Sequence, residues 1–254
     1  MQKQPPPISK SSYWIIVPAA GIGSRMSSEI PKQYLILGTK TVIEHTLERL
    51  LKFSFLAGIV VVVSKADTHW KNLAISNHPL IHVVDGGTER ANSVLNGLNY
   101  LHEKIQPQDW VLVHDAARPC VTLKNIENLC TVLCEDAVGG ILAVPVSDTL
   151  KQITLNHIDM HQSISNTLDR RSLWQAQTPQ LFRYELLRDC LSLTIARHEN
   201  ITDEASALEL CGYSPKVVEG RSDNIKITRP DDFLLATFIL QQQEKNMQVQ
   251  ENNS

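Results

Sequence analysis

Several short polar segments in this chain carry residue types suited to an anion. PAAGIGSRM (18–26) sets bare backbone at Ala19, Ala20, Gly21 and Gly23 beside the forked cation of Arg25, a combination that lets main-chain N–H groups approach a phosphate. Lys32 follows seven residues after Arg25, and Pro31 fixes the backbone immediately before it. DGGTERANS (85–93), HDAARP (114–119), PVSDT (145–149) and DNIKIT (223–228) each join glycine or small residues to a carboxylate, hydroxyl or cation. Taken singly, each has a plainer reading: a glycine turn at 18–26, a solvated surface charge at Lys32, a helix cap at Asp115. Two familiar phosphate motifs are excluded, since there is no GxxxxGK[ST] loop and Met26 stands where GxGxxG requires its last glycine.

To act together these segments must converge, and the apolar runs before them predict the scaffold that does it. WIIVPA (14–19), GIVVVV (58–63), IHVV (81–84), WVLVHD (110–115) and GILAVPV (140–146) read as near-continuous apolar strands, the pattern of a sheet buried on both faces. Residues 41–52 place Ile43, Leu47, Leu50 and Leu51 on one helical face, and residues 89–103 do the same with Val94, Leu98 and Leu101. Alternation of such strands and helices predicts an α/β fold, a mostly parallel Rossmann-like sheet with helices on both faces. Loops after the carboxyl ends of parallel strands share one edge, where ligands bind. Residues 147–180 are polar and irregular and predict a β-rich excursion from the sheet. The α/β rhythm then resumes with a helix at 183–197, a helix capped by Thr202, strands near 215–219 and 224–228, and a last helix from Pro230.

The chain has 254 residues, with 24 basic and 27 acidic side chains for a net charge of −3, and is 43% hydrophobic. That balance provides no general positive field for a nucleic acid. The longest apolar runs, 57–63 and 139–146, fall far short of the roughly 20 residues of a membrane span. Five cysteines, at 120, 130, 134, 190 and 211, form neither a CxxC pair nor a zinc spacing, so they predict a reducing, cytoplasmic compartment, with Cys130 and Cys134 as small core residues. Residues 1–12, with three prolines, and 243–254 read as flexible tails around one domain at 13–242.

The ordered set VPAAGIGSRM, PKQYL, VDGGTERANSV, VHDAARP, PVSDT, TLDRRSLWQAQTPQ, ITDEASALE and VEGRSDNIKIT resembles the 2-C-methyl-D-erythritol 4-phosphate cytidylyltransferases over about residues 13–242. The resemblance implies a nucleotidyltransferase sheet and the CTP-dependent transfer of CMP to methylerythritol phosphate, in non-mevalonate isoprenoid biosynthesis. An anion must there attack an already anionic phosphorus, so the site must gather cations and hold both reactants in line. The cations offered are Arg25, Lys32 and Lys226.

Carried over by motif, Ala19, Ala20, Gly21 and Gly23 with Arg25 and Lys32 hold the triphosphate, and Lys226 reaches the α-phosphate region. Gly86, Gly87 and Ser93 meet cytosine and ribose, with Thr88 where the family often carries a carboxylate. Asp115, Arg118, Thr149, Arg170, Thr178 and Lys226 line the acceptor pocket. The resemblance also implies Mg²⁺ bound mainly through the CTP phosphates, with no protein ligand named. It further implies a homodimer clasped by the arm at 147–180, in which Arg170 completes the partner's site and Ile153, Leu155, Ile158 and Ile164 are covered. Left open beside this reading are a cytidylyltransferase for another polyol phosphate such as ribitol 5-phosphate, a hexose-phosphate nucleotidyltransferase, and a non-catalytic nucleotide sensor.

Overall fold

The computed structural model describes residues 12–21, 30–154 and 163–251, with side chains to Asn246. Short apolar strands alternate with amphipathic helices in the order β1 (Tyr13–Pro18), β2 (Ile36–Leu37), β3 (Lys40–Thr41), α1 (Val42–Leu50), β4 (Leu56–Val63), β5 (Ile81–Asp85), α2 (Arg90–Leu101), β6 (Trp110–Val113), α3 (Leu123–Leu133) and β7 (Gly139–Pro145). There follow β8 (Leu150–Ile153), β9 (Ile164–Leu168), β10 (Trp174–Arg183), α4 (Tyr184–Ala196), α5 (Glu204–Leu210), β11 (Lys216–Glu219) and α6 (Asp231–Glu251).

Seven of these strands form one sheet in the order β11-β7-β10-β6-β1-β4-β5. Only β10 runs antiparallel to its neighbours in it. Strand residues alternate between two cores, as the period of two requires. Ile15 and Val17 of β1 pack with Ile43, Leu47 and Leu50 of α1 and Ile126 and Leu129 of α3. Ile16, between them, packs with Val94, Leu98 and Leu101 of α2 and Leu187 and Leu191 of α4. Each face is therefore covered by helices, which is why the strands carry unbroken apolar runs. A third cluster of Leu37, Val42, Cys120, Ile227, Ala236 and Leu240 docks α6 beside α1. Cys130 is buried and Cys134 half-buried at the end of α3, and all five cysteines are free. Among the described residues no helix is long and apolar enough to cross a membrane.

Three expectations need correction. The polar stretch 147–180 divides: 150–153 and 164–168 form a separate two-stranded ribbon, but 174–183 is a central strand of the main sheet. Its polarity misled because Gln177, Thr178 and Gln180 are buried polar side chains with hydrogen-bond partners, not solvent-facing ones. Residues 224–228 are not a strand but an extended crossing segment, whose backbone is met by Arg118 at Asn224 and Ala117 at Ile227. Asp203, not Thr202, caps α5: its side chain accepts from Ser206 N at 2.9 Å, while Ser206 Oγ accepts from Asp203 N. The last helix, α6, runs to Glu251.

Candidate active site

The loop after β1 begins as an extra rung of the sheet, with Ala19 N donating to Val62 O, and then turns away as bare backbone. It is held from below by Gln33, a buried side chain whose Nε2 donates to Ala19 O at 2.7 Å and to Gly21 O at 3.2 Å. Gln33 lies in a single helical turn, Lys32–Tyr34, that Pro31 opens. The same turn presents Lys32, whose Nζ donates to Ile227 O at 3.1 Å. Gly23 and Arg25 lie outside the described residues.

Opposite stands the DGG turn after β5. A Cβ on Gly86 would fall 2.4 Å from Ala20 Cβ, so the two loops approach as closely as bare backbone allows. Ser93 is buried and ties the turn to α2, accepting from Gly87 N and donating to Glu89 O, each at 3.1 Å. Thr88 Oγ1 donates to Asn92 Oδ1 at 3.1 Å.

These loops and the segment after β6 enclose a cavity of about 210 Å³, lined by Ala19, Ala20, Gly21, Lys32, Gly87, Thr88, Arg90, Ser93, Asp115 and Lys226. A neighbouring cavity of about 740 Å³ is lined by Arg118, Gln175, Gln177, Asn224 and, again, Lys226. Lys226 thus stands on the wall the two share.

Asp115 anchors that wall. Its carboxylate meets Lys226 Nζ at 2.9 Å, Arg90 Nη2 at 3.2 Å and Arg118 Nε at 3.5 Å. Burial pushes its pKa up, but Arg90, then Lys226 and Arg118, outweigh this and hold the carboxyl well below the usual carboxylate range. Thr178 is buried and lines neither cavity; its Oγ1 accepts from Asp115 N at 3.0 Å and donates to His114 Nδ1 at 3.1 Å. The other nitrogen of His114 faces Arg118 O at 3.1 Å, and burial lowers this imidazole's pKa to about 4, so it is neutral and fixed as a spacer at neutral pH.

Arg90 and Glu204 are the residues that motif reading did not select. Glu204 is buried and accepts from Arg90 Nη1 at 2.7 Å and Nη2 at 3.1 Å, a forked pair joining α5 to the cavity. Burial raises the Glu204 pKa against the opposing pull of Arg90. Gln180 of β10 holds the start of α5, donating to Asp203 Oδ2 and accepting from Ala205 N. Nothing local signals this pairing, because the partners are 114 residues apart. Gln33 was within reach, since it stands beside Lys32 in PKQYL.

Thr149 and Arg170 line neither cavity in this chain. Both are exposed, and Arg170 Nη1 donates to Ser147 O at the base of the β8–β9 ribbon. Among the described residues no three His, Cys, Asp or Glu side chains converge as a metal site.

Known proteins resemble this chain over most of its length. The family profile described as IspD, 2-C-methyl-D-erythritol 4-phosphate cytidylyltransferase, matches residues 13–242. A protein of that name from Aliivibrio fischeri strain MJ11 is 50% identical over 234 residues, covering 92% of this chain and 96% of its own length. One from Haemophilus influenzae strain PittEE is 51% identical over 225 residues, 89% of this chain and 95% of its own. The crystal structure of the Francisella tularensis protein of that name superposes with a TM-score of 0.78 at 39% identity, over 90% of this chain and all of the other.

Proposed function

The chain belongs to the 2-C-methyl-D-erythritol 4-phosphate cytidylyltransferase family, and from that premise we propose that the two adjoining cavities at the carboxyl edge of its sheet are the nucleotide and acceptor sites. The reaction transfers CMP from CTP to 2-C-methyl-D-erythritol 4-phosphate, giving CDP-methylerythritol and pyrophosphate in isoprenoid precursor biosynthesis. An acceptor phosphate oxygen forms a bond to the α-phosphorus of CTP as the bond to the β-phosphate bridging oxygen breaks, and pyrophosphate leaves with that electron pair.

The observation that carries the assignment of sites is Lys226, on the wall common to both cavities and 2.9 Å from Asp115. A cation there faces the α-phosphate from one side and the acceptor phosphate from the other, where charge concentrates in the transition state. Arg118 lines the acceptor side, and Asp115, on the nucleotide-cavity wall, holds Arg118 and Lys226 while Arg90, locked by Glu204, keeps it in place. Lys32 and Arg25 receive the triphosphate over the bare backbone of Ala19, Ala20, Gly21 and Gly23. Gly86, Gly87 and Ser93 form the base and ribose wall.

A divalent ion, Mg²⁺ in this proposal, would neutralise the triphosphate. The residues suit an ion carried by the nucleotide, because Asp115, the buried carboxylate at the cavity, is already held by three cations. Excess chelator is expected to abolish turnover; full activity in its presence contradicts the metal requirement.

The ribbon of β8 and β9 carries Ile153, Ile164 and Leu168 exposed, an apolar set that a second subunit would cover, which supports a homodimer with Thr149 and Arg170 serving the partner's acceptor site. Leu155 and Ile158 lie outside the described residues. The free cysteines suit the reducing cytoplasm. Incubation of the purified protein with CTP, Mg²⁺ and a panel of polyol phosphates, with the CDP product identified by mass, tests the whole reading. Faster turnover of ribitol 5-phosphate than of methylerythritol phosphate would overturn the acceptor assignment.

A further inference from the structure

Bare backbone presents carbonyl oxygens as readily as N–H groups, and a phosphate is repelled by the first and attracted by the second. A loop that holds a triphosphate must therefore turn its carbonyls elsewhere. At Ala19 and Gly21 the partner is Gln33, only 4% exposed, whose Nε2 donates to Ala19 O at 2.7 Å and to Gly21 O at 3.2 Å. Carbonyl oxygens only accept, so the amide nitrogen must face them, and both of its hydrogens are taken. What Gln33 has left is an acceptor oxygen, which offers nothing to an anion. Gln33 lies on the cavity wall, but it has no donor to give a phosphate and can act only through the loop.

Ala19 is pinned at both of its polar groups, since its N donates to Val62 O at 2.7 Å while its O receives Gln33. In a planar trans peptide the C=O and the following N–H point in opposite directions. Holding Ala19 O on Gln33 therefore aims the Ala20 N–H away from Gln33. The clamp is itself fixed from the core. Its neighbour Tyr34 is buried, donates its hydroxyl to Asp67 Oδ2 at 2.7 Å and stacks on His69 with 5.0 Å between ring centroids. Asp67 Oδ1 accepts from His69 N at 2.9 Å and from Trp70 N at 2.8 Å. The turn that carries Gln33 is thus moored to the segment after β4, the strand that also holds Ala19 N, so loop and clamp share one frame.

We propose that Gln33 is a positioning residue for CTP: by withdrawing the carbonyls of Ala19 and Gly21 it sets the polarity of the loop, so that the Ala20 N–H meets the triphosphate. This rests on the assignment of the cavity to CTP. Gln33→Met keeps the length of the side chain and removes both donors. Gln33→Glu keeps its shape; the ionised carboxylate repels both carbonyls, whereas the protonated form regains one O–H donor. Burial and the facing carbonyls favour that neutral form and raise the introduced carboxyl above the usual value of about 4.3, so the defect of this variant is full at high pH and is partly relieved as the pH falls.

The test is CTP binding by the full chain with Mg²⁺, followed by calorimetry and by the Ala20 amide in an NMR titration, with KM for CTP and for methylerythritol phosphate measured alongside. Wild type is expected to bind saturably, with a downfield shift of the Ala20 amide proton. Gln33→Met is expected to weaken CTP binding about tenfold, the worth of about one hydrogen bond, and to shrink the Ala20 shift at saturation. It should leave the acceptor KM within about twofold, because the loss is confined to the nucleotide. Gln33→Glu, compared with wild type at the same pH, should bind CTP worse at about pH 8 than at about pH 6, a recovery that lost packing alone does not give. Unchanged CTP binding in both variants, a loss shared equally by CTP and acceptor, or an Ala20 amide that ignores CTP in wild type would each overturn the proposal. Failure of wild type to bind CTP at all would instead overturn the assignment of the cavity, and the proposal with it.

Discussion

Replacing Asp115 by asparagine keeps the shape of the side chain and removes the charge that Arg90, Arg118 and Lys226 share. Breaking a buried ion pair from one side costs about 3–5 kcal/mol, because the partner charges stay behind. Two of the partners have an outlet here, since the Arg90 and Lys226 side chains are 30% and 38% exposed and recover water. Arg118 does not, at 12% exposed with its Nε lacking any other partner. The low end of the range, about 3 kcal/mol, is therefore expected at neutral pH. For a domain of this size that corresponds to a fall in Tm of roughly 6–12 °C.

The pH dependence is a sharper readout than the size. Asp115 has a folded pKa below its unfolded one, so the unfolded state binds more protons in the window between the two. Its contribution is fully present above about pH 4 and is lost as the pH falls through the lower folded value. Urea unfolding of wild type and Asp115→Asn at pH 7, 4 and 3 should therefore show a stability gap that is constant from pH 7 to 4 and narrows below it. Equal stability at pH 7, or a gap that stays unchanged into acid, refutes the ascription of the effect to the ionised carboxylate.

Lys32→Ala and Arg25→Ala are each expected to lower kcat by about 10² or more, as loss of one preorganised charge contact does, with an unchanged melting temperature; a low kcat that tracks a fall in Tm removes that residue from the transition-state set. Gly86→Ala should raise KM for CTP far more than it changes acceptor KM, because its Cβ would meet Ala20 Cβ at 2.4 Å and push the two nucleotide loops apart; steady-state kinetics with each substrate varied checks this. Inactive Lys226→Ala and Arg170→Ala subunits, mixed and allowed to exchange, should recover about a quarter of all sites, given random pairing in a two-fold dimer. If exchange is demonstrated and activity stays at the level of the separate variants, Arg170 acts within its own chain or not at all.

The forked pair between Arg90 and Glu204 gives the site its rigidity. Arg90, one of the three cations on Asp115, is fixed from behind by Glu204, itself the first residue of α5. Gln180 in turn clamps that helix start from β10. The antiparallel strand inserted between β6 and β7 thus carries buried polar side chains whose partners come from elsewhere in the fold: Arg221 for Gln177, His114 and Asp115 for Thr178, and the start of α5 for Gln180.

Local patterning was enough to determine the parallel strands, the helices on both faces and the identity of the loops at one edge. Ile15 and Ile16, or Val60 and Val61, must face opposite cores, and a run of such pairs demands helices above and below. The segments proposed to face phosphate are legible where they directly follow a strand: Ala19–Gly21 after β1, Gly86 and Gly87 after β5, and Asp115 after β6. What the sequence could not decide is every relation that depends on chain segments far apart meeting in space. Gln177, Thr178 and Gln180 read as surface residues, since a buried polar side chain differs from an exposed one only by the partner that tertiary structure brings to it. Glu204 reads as a helix-start carboxylate until Arg90 arrives from 114 residues away, and Thr178 reads as a pocket wall until His114 and the Asp115 amide claim its hydroxyl. Hydrogen bonds and ion pairs leave no period in a sequence, whereas burial of apolar surface does.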